Sequence, residues 1–164
     1  MTMLYGVVLL VVVQRLVELA IAARNTARLR QAGAVEYGAR HYPLFILLHG
    51  TWLASVALLI PADQAANLWL LSALIVLLLA RFWVMTSLGP YWTTRIIRLP
   101  HGPIVSSGPY RWVRHPNYLI VTGEIAVLPL VFGAWKIAIV FSLLNALLLR
   151  HRIRIENAAL GETT

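Results

Sequence analysis

Five runs of apolar residues, each at or near the length needed to cross a bilayer, constrain this chain more than any other feature. They are Met3 to Ala23, Pro43 to Ile60, Asn67 to Ser87, Tyr118 to Val131 and Ala134 to Leu149. The chain has 164 residues, 60% of them hydrophobic, and a mean hydropathy of +0.76. That is more apolar surface than a soluble domain of this length can bury. The expected fold is all-α, a polytopic membrane protein with about five transmembrane helices. The first run is too long, and too poor in a small-residue cleavage site, to be a signal peptide, and is expected to stay as a helix. The fourth is short and carries Pro129 near its end, so it reads with the fifth as a tight helical hairpin turning at Phe132 and Gly133. Residues 1–87 then form three N-terminal spans, and residues 88–164 a second unit made of a loop, the hairpin and a C-terminal helix.

The net charge of +8 does not indicate nucleic acid, because the arginines punctuate apolar runs instead of clustering on one soluble domain. Arg24, Arg28, Arg30 and Arg40 lie in one connection, Arg95, Arg98, Arg111 and Arg114 in another, and Arg150, Arg152 and Arg154 in the tail. The opposite side holds only Asp63 and Lys136. With five spans, the positive-inside rule puts the N-terminus outside and the C-terminus in the cytoplasm. The chain has no cysteine, which excludes disulfides and thiolate chemistry.

Polar residues inside the spans need their own account. Arg15 and Glu18, with Gln14, lie on adjacent turns of the first span and suit a polar clasp. Arg81 is placed to snorkel toward the interface, while Glu124 either pairs with an arginine or touches a ligand. The five histidines, His41, His49, His101, His115 and His151, show no four-residue helical pair, so no metal site is expected. A GxGxxG, a Walker loop and a GxSxG elbow are all absent.

Two polar clusters remain. GPYRWVRHPNY, Gly108 to Tyr118, packs arginines, a histidine, prolines and tyrosines between apolar segments, and RHRIRIEN, Arg150 to Asn157, closes the last one. Such clusters at a membrane boundary are costly unless they line a site. Arg111, Arg114, His115, Tyr110 and Tyr118 offer cations, a donor or acceptor, and aromatic faces, and Arg152 and Glu156 share a helical face four residues apart. A zwitterion with a flat ring would find partners here. Both S-adenosylmethionine and a phospholipid headgroup meet that description.

The run PIVSSGPYRWVRHPNY, followed after one hydrophobic hairpin by RHRIRIEN, resembles the isoprenylcysteine carboxyl methyltransferase family and its phospholipid methyltransferase relatives. The resemblance covers about the last seventy residues well and implies that residues 88–164 form a methyltransferase core using S-adenosyl-L-methionine. It also implies that His115, Pro116, Asn117 and Tyr118 hold the cofactor with Tyr110, that Gly102, Pro103, Ile104 and Val105 line it with backbone, and that Glu156 binds it. Arg152 takes the substrate-facing, catalytic position. Where many relatives have consecutive acids, this chain has Glu156 and then Asn157. The resemblance implies an isoprenylcysteine carboxyl acceptor entering from membrane lipid, while the short chain and small loops, with little to read a protein substrate, suit equally a small lipophilic acceptor, a hydroxylated or carboxylated lipid of polyketide or prenylated type. Methylation of a phospholipid amine is the alternative within the enzyme class. A basic rim that binds anionic headgroups without catalysis is the alternative outside it.

Overall fold

The computed structural model describes residues 2–100, 102 and 105–159. Its helices are α1 (Met3–Gln31), α2 (Tyr42–Leu59), α3 (Leu68–Leu88), α4 (Pro116–Val131) and α5 (Trp135–Ala159), with two short strands, β1 (Val35–Tyr37) and β2 (Ile96–Arg98). Among the described residues, the regions of α1, α2 and α3 are long and apolar enough to cross a membrane, and α4 is a shorter apolar helix. Side chains such as Leu10, Leu58, Trp69, Leu79 and Leu143 stand more than half exposed on the outer faces of these helices. That disposition suits lipid, where outward apolar surface carries no penalty.

The helix ends are written in the sequence. At 29 residues, α1 is roughly 43 Å long, which exceeds a hydrocarbon core of about 30 Å. Its last turn holds Arg28 and Arg30, cations that suit a helix C-terminus. Gly33 at φ 89° then closes it: Ala34 N–H donates to the Leu29 carbonyl and Gly33 N–H to that of Arg30, the Schellman pattern. Asn67 caps α3 by accepting from the Trp69 and Leu70 amides at 3.0 and 3.2 Å, replacing bonds the first turn lacks.

The α4–α5 hairpin turns at Phe132 and Gly133 as its sequence predicts. Gly133 has φ 70°, and Ala134 N–H donates to the Pro129 carbonyl and Gly133 N–H to that of Leu130. Pro129 therefore sits in the last turn, where its missing N–H and the following glycine end the helix together. Helix α4 packs mainly against α3 and α5. Gly123 lets α3 approach closely, since a Cβ there would lie 3.1 Å from the Leu77 methyls.

One buried cluster joins Leu4, Val8, Val11, Trp52, Val56, Leu74, Ile125 and Leu128 across α1 to α4. A second, around Ala22, Val84, Trp92 and Ile120, lies toward the loops. Strands β1 and β2 pair antiparallel, Val35 with Arg98 and Tyr37 with Ile96, and so tie the α1–α2 connection to the segment after α3.

Arg81 corrects the snorkelling expectation. It is 6% exposed, and its Nε donates to Glu18 at 2.5 Å while Nη1 donates to Glu124 at 3.2 Å. Arg15 also donates to Glu18, at 3.0 Å, and to Glu124. Two arginines and two glutamates from α1, α3 and α4 thus form one closed, neutral ion cluster inside the bundle. Burial is tolerable only because each charge meets its opposite.

Candidate functional site

Proline and glycine shape the loop that carries the first cluster. Gly108 adopts φ 59°, and a Cβ on it would fall 2.2 Å from Ser87 Oγ, so this turn is pressed against the end of α3. A short 3-10 turn, Gly108–Arg111, follows and points Tyr110 inward. Pro116 then opens α4 at its first turn, where the absent N–H costs nothing.

From there the side chains form a chain of contacts. Arg152 of α5 donates from Nε to the Tyr118 hydroxyl at 2.9 Å and from Nη2 to the Thr94 carbonyl at 2.9 Å. Tyr118 in turn donates to Glu156 Oε2. The His115 ring stacks on Tyr118 with centroids 5.2 Å apart and planes 14° from parallel, and its Nδ1 lies 3.9 Å from Glu156 Oε2. The Arg152 guanidinium lies 5.2 Å from the centre of the Phe45 ring and 5.7 Å from that of Tyr118. An arginine held on two sides and packed over aromatic rings has little freedom left. Burial, and secondarily the Glu156 charge, pushes Tyr110 up to about 12, so its phenol remains a neutral donor at physiological pH.

Two cavities meet at this chain. One, of about 290 Å³, is mostly apolar and runs among α1, α2 and α4, walled by residues such as Leu16, Phe45, Ile46, Leu53 and Val121. The other, of about 240 Å³, is more polar and includes Arg95, Tyr110, Arg114, His115 and Glu156. Trp92, Thr93, Asn117, Tyr118 and Arg152 belong to both. Leu16 and Ile46 are more than half exposed, so the apolar cavity reaches the lipid-facing surface between α1 and α2.

Of the residues expected at the cofactor site, Tyr110, His115, Asn117, Tyr118 and Glu156 line the polar cavity, as does Arg152. Pro116 is buried behind them at the start of α4. Gly102 donates its N–H to the Leu99 carbonyl, and neither it nor Val105 lines either cavity. Pro103 and Ile104 lie outside the described residues. Sequence reasoning passed over Trp92, Thr93 and Thr94, which supply the shared wall and the carbonyl that holds Arg152. Their only signal was the aromatic and β-branched run leading into β2. It also passed over Phe45 on α2, and weighed His49 only as a metal ligand. Among the described residues no group of three or more potential metal ligands gathers.

The profile of the isoprenylcysteine carboxyl methyltransferase (ICMT) family matches residues 68–162, a span that contains α3, the loop, the hairpin and the whole Arg152–Tyr118–Glu156 chain. The protein belongs to the ICMT family. Over its full length this ICMT-family chain is also similar to the uncharacterized protein YpbQ of Bacillus subtilis, 38% identical across 164 residues and 98% of each chain. It is 31% identical to an uncharacterized protein of Haemophilus influenzae over 155 residues, covering 90% of this chain and 88% of that one. No solved structure matches it. Family membership and three helices of spanning length make it an integral membrane protein with methyltransferase ancestry.

Proposed function

We propose that this ICMT-family protein transfers a methyl group from S-adenosylmethionine, held in the polar cavity, to a lipophilic acceptor held in the apolar one. The carrying observation is the shared wall: Arg152, Tyr118 and Asn117 face both spaces at once. The donor set fits the cofactor. Glu156 offers an anion to an ammonium, and Tyr110 a neutral phenol and ring face. Asn117 Oδ1 is buried without a hydrogen-bond partner, an acceptor placed for a ligand donor. When bound, the cofactor would supply an electrophilic methyl carbon on a sulfonium.

The chain's own residues need only bring the acceptor into line and exclude water, since displacement at a sulfonium asks little acid–base work of the protein. Arg152 would orient a carboxylate or acidic hydroxyl through its guanidinium, with Tyr118 and Thr94 fixing the fork. His115, stacked on Tyr118 beside Glu156, is committed to the cofactor side. In this reading the active site faces the cytoplasm, where the arginine-rich connections lie, and the acceptor enters from lipid between α1 and α2. A carboxyl or hydroxyl acceptor, a prenylated or small ring-bearing lipid, suits Arg152 better than the amine of a phospholipid, which a cation would repel.

Calorimetry with S-adenosylmethionine or S-adenosylhomocysteine on protein in nanodiscs tests the reading. Saturable binding is expected, weakened by His115→Ala, Tyr118→Phe and Glu156→Ala. Absence of saturable binding by the unmodified protein would remove it.

A further inference from the structure

Of the polar groups lining the apolar cavity outside the ion cluster and the Arg152 contacts, the Tyr42 and Thr94 hydroxyls pair with each other and that of Thr93 donates to the Arg95 carbonyl, which leaves His49. It lines the cavity from α2, one turn beyond Phe45, whose ring lies against the Arg152 guanidinium at 5.2 Å. The helical rise puts His49 roughly 6 Å farther along α2 than Phe45. Its orientation is fixed twice over. Nδ1 lies 2.8 Å from the Phe45 carbonyl oxygen, and the ring meets Trp52 edge to face at 6.3 Å and 86°. A carbonyl only accepts, so Nδ1 carries the hydrogen and the neutral ring keeps its lone pair on Nε2. No donor among the described residues meets Nε2.

The other charged groups on the same wall, Arg15, Glu18 and Arg81, are engaged with one another and with Glu124. Their charges cancel, so the deep end of the cavity exerts no net pull on an anion. It presents a single acceptor in apolar surroundings. A plain prenyl or acyl tail lying here leaves Nε2 without a partner, which a hydroxyl would supply.

Resting on the methyl-transfer reading above, we propose that His49 is a specificity-determining residue. It selects amphiphilic acceptors that carry a neutral hydroxyl roughly 6 Å deeper in the membrane than the group presented to Arg152. Such an acceptor is a ring-bearing lipid with two oxygen functions, not a prenyl chain ending in one polar head. A site built around a buried acceptor discriminates through the penalty of leaving it unmet, more than through the bond it makes.

Binding measurements on protein in nanodiscs saturated with S-adenosylhomocysteine test this without turnover. The probes are a long-chain 3-alkyl-4-hydroxybenzoic acid, whose hydroxyl stands across the ring from the carboxylate, and its deoxy counterpart of the same chain length. Wild type is expected to bind the hydroxylated probe about five- to tenfold more tightly. His49→Leu should abolish that preference, chiefly by tightening the deoxy probe toward the affinity of the hydroxylated one, and His49→Gln, whose amide oxygen accepts, should restore much of it. Equal binding of both probes by wild type, a preference that survives His49→Leu, or binding of neither probe would each overturn the proposal. Titration of S-adenosylhomocysteine alone into the same samples judges the methyl-transfer reading separately, so each can fail without the other.

Discussion

At the level of single side chains the proposed chemistry centres on Arg152, and its contacts say which replacement will hurt. One guanidinium serves the Tyr118 hydroxyl and the Thr94 carbonyl from two different nitrogens. Lysine, a point donor on a flexible stem, cannot hold both at once. Arg152→Lys is therefore expected to lose most of the activity, about tenfold to a hundredfold in kcat, with the cofactor dissociation constant within about threefold of wild type. Parallel turnover and calorimetry read this directly, and an equal loss in both would move Arg152 to the cofactor side. Glu156→Gln gives the complementary pattern: it keeps an acceptor for Tyr118 but removes the charge, so cofactor affinity falls while the fold is retained. Arg152 and Glu156 were legible in the sequence because four residues along a helix share a face. Their link through Tyr118 was not, because nothing in a linear pattern says that the first turn of α4 meets the last turns of α5.

Among the elements, the loop between α3 and α4 depends on a residue that has no side chain. Gly108 combines a positive φ of 59° with a Cβ position 2.2 Å from Ser87 Oγ. Gly108→Ala should cost about 1 to 3 kcal/mol, seen as a lower melting temperature and as faster proteolysis of the loop that presents Tyr110. The β1–β2 pairing adds a pH response. Burial works to raise the Glu36 carboxyl, but hydrogen bonds and charge from Arg95 and Arg30 outweigh it and hold the group below its ordinary value of 4.5. A depressed carboxyl stabilises the fold fully above its unfolded value, and the contribution fades as pH falls through the folded one. Protection from hydrogen exchange across Val35–Tyr37 and Ile96–Arg98, taken relative to the unstructured rate at the same pH, should therefore fall on acidification below about 4.5, and Glu36→Gln should remove that dependence. The helices were readable from apolar run length and from their caps. Three-residue strands were not, because so short a pairing takes its stability from the loops it joins and leaves little periodic pattern.

For the whole molecule, the sequence disclosed a bundle with a polar edge, and the structure adds two adjoining cavities, one open toward lipid and one lined by polar groups. The reason for the gap lies in α1 and α3. Arg15, Glu18 and Arg81 looked like separate local features, and only assembly of the bundle brings Glu124 of α4 between them. Removing one partner leaves an uncompensated charge in low dielectric, so Glu124→Ala should destabilise the protein by about 3 to 5 kcal/mol. Thermal unfolding in detergent checks this, and pairing Glu124→Ala with Arg15→Ala should recover part of the loss. The cluster has an electrical consequence as well. A transmembrane voltage does work of about 2.3 kcal/mol per elementary charge moved through 100 mV, which is how charged helices become sensors. Here Arg15 and Arg81 offset Glu18 and Glu124, so the field finds a dipole of modest size and no net charge to drive. The bundle should work at the same rate in an energised membrane and in a collapsed one.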